Sequence, residues 1–206
     1  MLSTVGRPRE HNEATAIALL DKAERAVEAE GLAALSVRAV AAEAGTTTRA
    51  VYSLFGSKDG LVVALGVRAY KLLDAAVAAL PVTDDAAADL VDAGLVFRRF
   101  ARDHPALFMI GVQRVLPVPE LWDQFRGAAS TALSRLCFRL DRLAERQGLG
   151  GRSTMEAAWQ FHALCEGLAA AELRDLGRIH DFEARWHAAL SALVHGFAAA
   201  PIAEQL

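Results

Sequence analysis

Apolar residues recur along the chain at intervals of three and four, the spacing that places them on one face of a helix. Strand-type alternation of apolar and polar positions is scarce. In the N-terminal part the pattern predicts four helices, over residues 12–30, 36–44, 47–55 and 58–80. Gly31 and Gly45 end the first two, and Pro81 ends the fourth.

The remainder of the chain is also predicted to be helical, because capping residues and prolines mark further helix starts. Ser153 and Glu156 have the spacing of a capping box, in which a side chain and a backbone N–H bond reciprocally. The predicted starts are Thr83, Pro105, Pro119, Ser153 and Asp181. We therefore predict an all-α protein of about nine helices.

Composition indicates a folded chain, since 53% of the residues are apolar and 23% are charged. The net charge of −3 does not favour nucleic-acid binding, and residues 1–60 hold seven basic against eight acidic residues. Any DNA binding must therefore depend on local positive charge. Two cysteines in helical patterns, no apolar signal core and no apolar stretch of membrane-spanning length predict a cytoplasmic protein with no membrane partner.

Two short helices joined by a turn at Gly45 predict a helix-turn-helix, whose second helix lies in the major groove of DNA. On that second helix Val51, Leu54 and Phe55 form an apolar side. The opposite side carries Thr48, Arg49, Tyr52 and Ser53. Arg49 could bond guanine, and Thr48 could meet a base edge or a thymine methyl group. The same polar side could also be an ordinary solvated helix surface.

The run LSVRAVAAEAGTTTRAVYSLFGSKDGL, residues 35–61, resembles the DNA-binding signature of the tetracycline-repressor (TetR) family of bacterial regulators. It contains the skeleton Ala44, Gly45, Tyr52, Phe55 and Lys58 without a gap. The resemblance implies contacts to DNA from Ser36, Arg38, Thr47, Thr48, Arg49, Tyr52 and Lys58, which Ser53 joins on the exposed side. Family members often carry His or Tyr where this chain has Leu54. Leucine cannot hydrogen-bond phosphate, so one customary contact to the DNA backbone is expected to be missing.

Arg7 and Arg9, just before the first predicted helix, could form an arm in the minor groove of DNA. A disordered tail with two charges is the alternative.

The resemblance implies a helix-turn-helix domain over residues 1–56, a connecting helix over 57–80 and a ligand-binding and dimerisation domain over 81–206. Large apolar residues and a few polar ones are expected to line a ligand pocket, although single members could be ordinary core. The expected pocket residues are Phe97, Phe100, Phe108, Met109, Gln113, Trp122, Phe125, Trp159, His162 and Cys165.

The last two helices carry apolar residues on more than one side, which predicts burial against a second subunit. A twofold dimer suits a palindromic operator. The expected interface residues are Phe161, Leu164, Leu168, Trp186, Leu190, Leu193, Val194 and Phe197.

These observations predict a sequence-specific DNA-binding transcriptional regulator, a repressor that a small apolar effector releases from double-stranded DNA. A ligand-independent or activating regulator of the same fold remains an alternative. An all-α enzyme is the other alternative, although the chain lacks the familiar catalytic motifs. His162, Cys165 and Glu166 share one helical turn but lack the further ligands of a structural metal site. We predict no metal and no cofactor.

Overall fold

A computed structural model describes residues 7–112, 122–174 and 181–199, and every regular element in these ranges is helical, as predicted. A 3₁₀ turn covers Leu32–Ala34, and a π-helical segment covers Phe108–Val112. The α-helices are α1 (Arg7–Glu30), α2 (Val37–Glu43), α3 (Thr48–Phe55), α4 (Lys58–Ala78), α5 (Ala86–Asp103), α6 (Pro105–Leu107), α7 (Trp122–Gln147), α8 (Thr154–Leu173) and α9 (Phe182–Gly196).

The first helix differs from its prediction at its start and in its buried face. It begins at Arg7 rather than near residue 12. Leu19, Ala23 and Val27 recur at every fourth position and are buried, whereas Ile17, which the helical spacing of Ile17, Leu20, Ala23 and Val27 groups with the apolar residues, is 53% exposed. The periodicity identified the helix correctly but placed the centre of its buried stripe on a neighbouring set of residues.

Helix starts agree with the predicted capping chemistry in most places. Ser153 and Glu156 form the predicted capping box, and the side chain of Asp181 accepts a hydrogen bond from the N–H of Ala184 at 3.2 Å. The cap of α5 is Asp85 rather than Thr83. Thr83 instead donates its N–H and its hydroxyl to the carboxylate of Asp89, at 2.9 and 2.7 Å.

The short α6 continues directly into the π-helical segment, a form that periodicity did not predict. Gly111 in this segment allows a close approach to α4. A Cβ at that position would lie 2.7 Å from the Cβ of Ala69 and 3.3 Å from the carbonyl oxygen of Gly66. The helix start predicted at Pro119 lies outside the described residues.

The described chain divides into two compact units. One comprises the residues up to Ala69 together with those from Pro105 to Arg126, and the other comprises Tyr70–His104 and the residues from Gly127 onward. The division lies inside α4 rather than at its two ends, where the sequence placed it. The segment from Pro105 joins the first unit because α6 packs on α1 and Gly111 packs on α4.

Each unit has its own apolar core. In the first, α1 packs on α2, α3 and α6, around side chains such as Leu19, Val40 and Val51. In the second, α5 packs on α8 and α9. A Cβ on Gly94 of α5 would lie 2.6 Å from both methyl groups of Leu190, so α5 and α9 approach closely there.

Candidate functional site

The segment from α2 to α3 has the geometry of a helix-turn-helix, as the sequence predicted. The hydroxyl of Ser36 caps α2 by accepting the N–H of Ala39 at 3.4 Å. The hydroxyl of Thr47 caps α3 in the same way, with the N–H of Ala50 at 3.2 Å. Between them Gly45 has a φ of 65°, which only glycine adopts readily. The local sequence therefore fixes both helix starts and the turn between them.

The two sides of α3 separate as predicted. Val51 is fully buried, whereas Thr48, Arg49, Tyr52 and Ser53 are exposed. Tyr52 is 52% exposed, which is a large aromatic residue for a short helix to leave in solvent. The structure thus brings the four predicted base-reading and phosphate-binding side chains together on one accessible face.

A third capping hydroxyl, that of Ser57, belongs to this surface and was not among the predicted residues. Ser57 caps α4, because its oxygen accepts the N–H of Gly60 at 2.9 Å. Lys58, the first residue of α4, follows it directly. A capping hydroxyl accepts from the helix and keeps its own proton, so Ser36, Thr47 and Ser57 can each still donate to a phosphate oxygen. The signal in the sequence was a serine immediately before the predicted helix start.

Two glycines fix Lys58 relative to the recognition helix α3. Gly56 ends α3 with a φ of 74°. A Cβ on Gly60 would lie only 1.8 Å from the carbonyl oxygen of Phe55, so the first turn of α4 lies directly against the last turn of α3. Farther along α4, Arg68 bonds Asp21 at 2.5 Å and Glu24 at 3.4 Å, which ties the same helix to α1.

The two arginines predicted as a minor-groove arm lie in α1, whose helical backbone begins at Arg7. The sequence placed both residues before the first helix, whereas the backbone places them in its first turn. Pro8 is compatible with this start because the first N–H groups of a helix have no partner within it. The side chains of Arg7 and Arg9 lie outside the described residues, and their contact with DNA stays a prediction.

Most of the predicted pocket residues whose side chains are described are buried apolar groups. Phe97, Phe100, Phe108, Phe125 and Cys165 are buried, and Met109 and His162 are half-buried. Gln113 and the side chain of Trp122 lie outside the described residues. Trp159 is unlike the other predicted pocket residues, because it is 71% exposed. It projects from the side of α8 opposite to the buried residues Ala157, Phe161 and Cys165.

One cluster of these residues lies within the second unit, where α5 meets α8. The rings of Phe97 and His162 make an edge-to-face contact with centroids 5.7 Å apart. His162 Nε2 lies 3.9 Å from a carboxylate oxygen of Glu166. Burial strongly raises the pKa of the Cys165 thiol, which therefore stays protonated and behaves as an apolar group. The cluster offers an aromatic surface on which the imidazole of His162 is a polar group.

Most of the predicted dimer-interface residues are instead core residues of the protomer. Phe161, Trp186, Leu190, Val194 and Phe197 are all buried within the single chain. Their burial has an internal cause, since α5 packs on both α8 and α9. A buried side chain cannot also be the outer surface that a partner covers, so these five assignments are corrected. The other three predicted residues, Leu164, Leu168 and Leu193, are half-buried.

The outward side of α8 carries a different set of residues at every fourth position. We call Met155, Trp159, Ala163, Gly167 and Ala171 the small-residue face, and all five are exposed. On α9 the alanines 184, 188 and 192 are likewise exposed at every fourth position. Two large apolar side chains followed by small residues leave an apolar surface that another helix can approach closely.

An open groove of about 460 Å³ lies at the start of α5, lined by Asp84, Asp85, Ala86, Ala87, Leu143, Arg146 and Gln147. None of the predicted pocket residues lines it. Among the described residues, no group of three or more His, Cys, Asp or Glu side chains could hold a metal ion. No helix in the same ranges is both long and apolar enough to cross a membrane.

Comparison with known proteins agrees with this geometry. The family model described as bacterial regulatory proteins, tetR family, matches residues 19–65, from within α1 into α4. A structure of an unknown-function protein from Rhodococcus sp. RHA1 has a TM-score of 0.78 and 22% identity, covering 89% of this chain and 95% of that one. No curated protein sequence matches this chain.

Two further structures carry functional names. The TetR family transcriptional regulator PfmR from Thermus thermophilus has a TM-score of 0.68 and 21% identity, covering 86% of this chain and 97% of that one. The transcriptional regulator FadR from Bacillus subtilis, solved in complex with stearoyl-CoA, has a TM-score of 0.69 and 15% identity, covering 87% of this chain and 98% of that one. Over residues 19–65, which include the capped helix-turn-helix, the chain is thus similar to the tetR family of bacterial regulatory proteins, and the fold of the chain is similar to that of solved regulators.

Proposed function

We propose that the protein is a homodimeric repressor that binds a palindromic operator through α3 and leaves it when a small apolar effector binds. The observation that carries the proposal is the exposed face of α3, where Thr48, Arg49, Tyr52 and Ser53 lie together between two capped helix starts. Base-reading and phosphate-binding groups are thereby presented on one rigid surface.

Within this surface the side chains divide into two roles. Arg49 reads guanine through its O6 and N7 atoms, and Thr48 meets the neighbouring base edge. Arg38, Tyr52 and Lys58 bind phosphates, together with the hydroxyls of Ser36, Thr47, Ser53 and Ser57. Leu54 is half-buried. The phosphate contact that a polar residue would make there passes to Tyr52 and Ser53.

The small-residue face supports the homodimer. Trp159 and Met155 leave large apolar surfaces in solvent, and burial against a partner would remove them from water. The small side chains of Ala163, Gly167 and Ala171 allow the close helix approach that such packing needs. A twofold axis through this face would pair α8 and α9 of one protomer with those of its partner.

The effector proposal is supported by the aromatic cluster of the second unit. Phe97 and Phe100 of α5, with His162 of α8, supply an apolar surface and one polar group that could orient a ligand. FadR, a protein of similar fold, binds stearoyl-CoA in its structure. An effector acts by binding the DNA-free conformation more tightly than the DNA-bound one. Repression follows where the operator overlaps a promoter.

Selection of DNA sites from a random pool at about 0.15 M salt tests operator binding. Enrichment of a palindrome is expected.

Arg49→Ala should change the preferred bases, whereas Lys58→Ala should weaken binding to all sequences. Because a dimer loses two phosphate contacts in Lys58→Ala, the slope of log K against log salt should become shallower by about 1.8. Arg146→Ala, an exposed arginine of the second unit, is the matched control. Failure to enrich any site, or an unchanged base preference in Arg49→Ala, would contradict the proposal.

The dimer is tested separately by Ala163→Glu, which places a charge in the small-residue face. Ala163 is exposed in the protomer, so the variant should fold and sediment as a monomer. Ala76→Glu makes the same change at an exposed position of α4 and should remain dimeric. A dimeric Ala163→Glu variant would show that the interface lies elsewhere.

Effector coupling is tested with the apolar fluorescent probe 1-anilinonaphthalene-8-sulfonate. If an apolar site opens in the DNA-free conformation, the probe should bind more weakly in the presence of saturating operator. Reciprocity requires that the probe then weaken operator binding by the same factor. Equal probe affinity with and without operator would contradict release by an apolar ligand.

A further inference from the structure

The recognition helix α3 lacks the side chains that read adenine and cytosine specifically. Its sequence, TRAVYSLF, contains neither an amide nor a carboxylate. In the major groove, adenine is read by the paired donor and acceptor of Asn or Gln, and the amino group of cytosine is read by Asp or Glu. The carboxylates nearest along the chain, Glu43 and Asp59, belong to α2 and α4. Base discrimination by α3 therefore depends on guanine and thymine.

Two side chains at the start of α3 are available to read these bases. The hydroxyl of Thr47 caps the helix by accepting the N–H of Ala50 at 3.2 Å, so Thr48 and Arg49 are the first helical residues. Both are exposed. Within the described part of the chain, neither side chain takes part in a hydrogen bond or an ion pair. Because the first residues of a recognition helix are the ones that reach base edges, Thr48 and Arg49 form the base-reading pair.

The chemistry of this pair matches the two bases. The guanidinium of Arg49 can donate to both O6 and N7 of guanine. The side chain of Thr48 carries a hydroxyl and a methyl group on one carbon. The hydroxyl can donate to or accept from atoms of several bases, so it discriminates little. The methyl group can pack on the C5 methyl group of thymine, which no other unmodified base presents in the major groove. The discriminating part of Thr48 is therefore its methyl group.

We propose that the protein recognises A·T pairs of its operator through the C5 methyl group of thymine, with Thr48 as the specificity-determining residue beside a guanine bound by Arg49. The inference rests on the proposed function, because it names the chemical group that the proposed DNA-binding surface reads. Binding is then sensitive to methylation of a pyrimidine at C5. Deoxyuridine at that position lowers the affinity, and 5-methylcytosine there binds more tightly than cytosine.

The test replaces methyl groups in the palindrome that the full-length wild-type protein selects. Each thymine of one half-site is changed in turn to deoxyuridine, together with its symmetry equivalent. Burial of one methyl group corresponds to about fourfold in affinity, so replacing the contacted thymine in both half-sites should weaken binding about fifteenfold. Replacing thymines elsewhere in the palindrome should leave the affinity unchanged. At the contacted position, 5-methylcytosine should bind more tightly than cytosine by about the same factor.

Two variants assign the effect to Thr48. Thr48→Ser keeps the hydroxyl and removes the methyl group, so it should bind the thymine and uracil operators equally. Thr48→Val keeps a methyl group and removes the hydroxyl, so it should retain the wild-type ratio of the two affinities. Ser53→Ala, on the same exposed side of α3, is the matched control and should also retain the ratio. A lower fraction of folded protein weakens binding to both operators equally and leaves the ratio unchanged.

The possible results separate this inference from the proposed function. A thymine-to-uracil ratio that persists in Thr48→Ser would assign the methyl contact to another group, such as the ring of Tyr52, and would overturn the role of Thr48. A selected palindrome without thymine, or one in which no uracil replacement lowers the affinity, would overturn methyl recognition and leave the proposed function intact. A wild-type protein that selects no palindrome would overturn both.

Discussion

A buried ion pair between α5 and α8 provides the sharpest test of the packing in the second unit. Arg98 bonds Glu172 through Nε at 2.9 Å and through Nη2 at 2.9 Å, and both side chains are almost enclosed. Trp186 of α9 donates its indole N–H to the same carboxylate at 2.8 Å. One carboxylate therefore joins three helices, and Arg98→Met would leave it buried without its principal partner.

The expected cost follows from that arrangement. Removing one partner of a buried pair costs about 3–5 kcal/mol, because the remaining charge has lost its hydration and its counter-ion. Glu172 would keep the indole N–H and a distant Arg102, whose Nε is 3.8 Å away. We therefore expect the lower end, about 3 kcal/mol, which is roughly a hundredfold change in the unfolding equilibrium.

Urea unfolding followed by circular dichroism at one fixed protein concentration measures this cost. With a slope of about 2 kcal/mol per molar urea, the midpoint should fall by about 1.5 M in Arg98→Met. Arg146→Met is the control, since it breaks the exposed pair with Asp84 and should leave the midpoint unchanged. Adding Glu172→Met to Arg98→Met should recover part of the loss, because no charge is then left unpaired. A midpoint for Arg98→Met equal to that of the control would refute the reasoning.

Two further predictions concern the same unit. Burial alone would raise the pKa of Asp89. Hydrogen bonds from Thr83 and from Arg142 outweigh the effect of burial and hold the pKa of this carboxyl below its usual value. The carboxylate should therefore stabilise the fold above about pH 4 and lose that effect as the pH falls through its lowered pKa. In Asp89→Asn, the free energy of unfolding should consequently fall less steeply as the pH is lowered below about 4. Gly94→Ala should destabilise by about 1–3 kcal/mol in urea, because the new methyl group meets Leu190, whereas Gly127→Ala, which meets open space, should not.

The helix-turn-helix could be predicted from the sequence because its determinants are local. The hydroxyl caps at Ser36 and Thr47 and the left-handed Gly45 each act within a few residues of their position in the chain. The apolar side of α3 faces its own neighbouring helices. Periodicity, capping and turn chemistry therefore predict the same structure. The residues of α3 that are not on its apolar side then form the exposed face.

The proposed interface on α8 and α9 could not be predicted in the same way, because periodicity shows an apolar side but not what covers it. Trp186 and Leu190 satisfy the pattern of an interface and are instead covered by α5. The arginines raise the same difficulty. Arg98 meets a carboxylate 74 positions away, and Arg139 meets carbonyls 50 to 62 positions away, so neither partner leaves a signal near the arginine.

The scarcity of positive charge near the recognition helix makes DNA binding depend on the proposed dimerisation. From α2 through the first turn of α4 the basic residues are Arg38, Arg49 and Lys58, and residues 1–60 carry no excess of positive charge. One recognition surface therefore gains little from the phosphate backbone, whereas two joined surfaces bind with the high effective concentration that linkage provides. Most of the affinity then depends on both surfaces fitting at once. In the proposed dimer, a small change in the separation of the two surfaces is therefore enough to remove most of the affinity without any change in the surface of α3 itself.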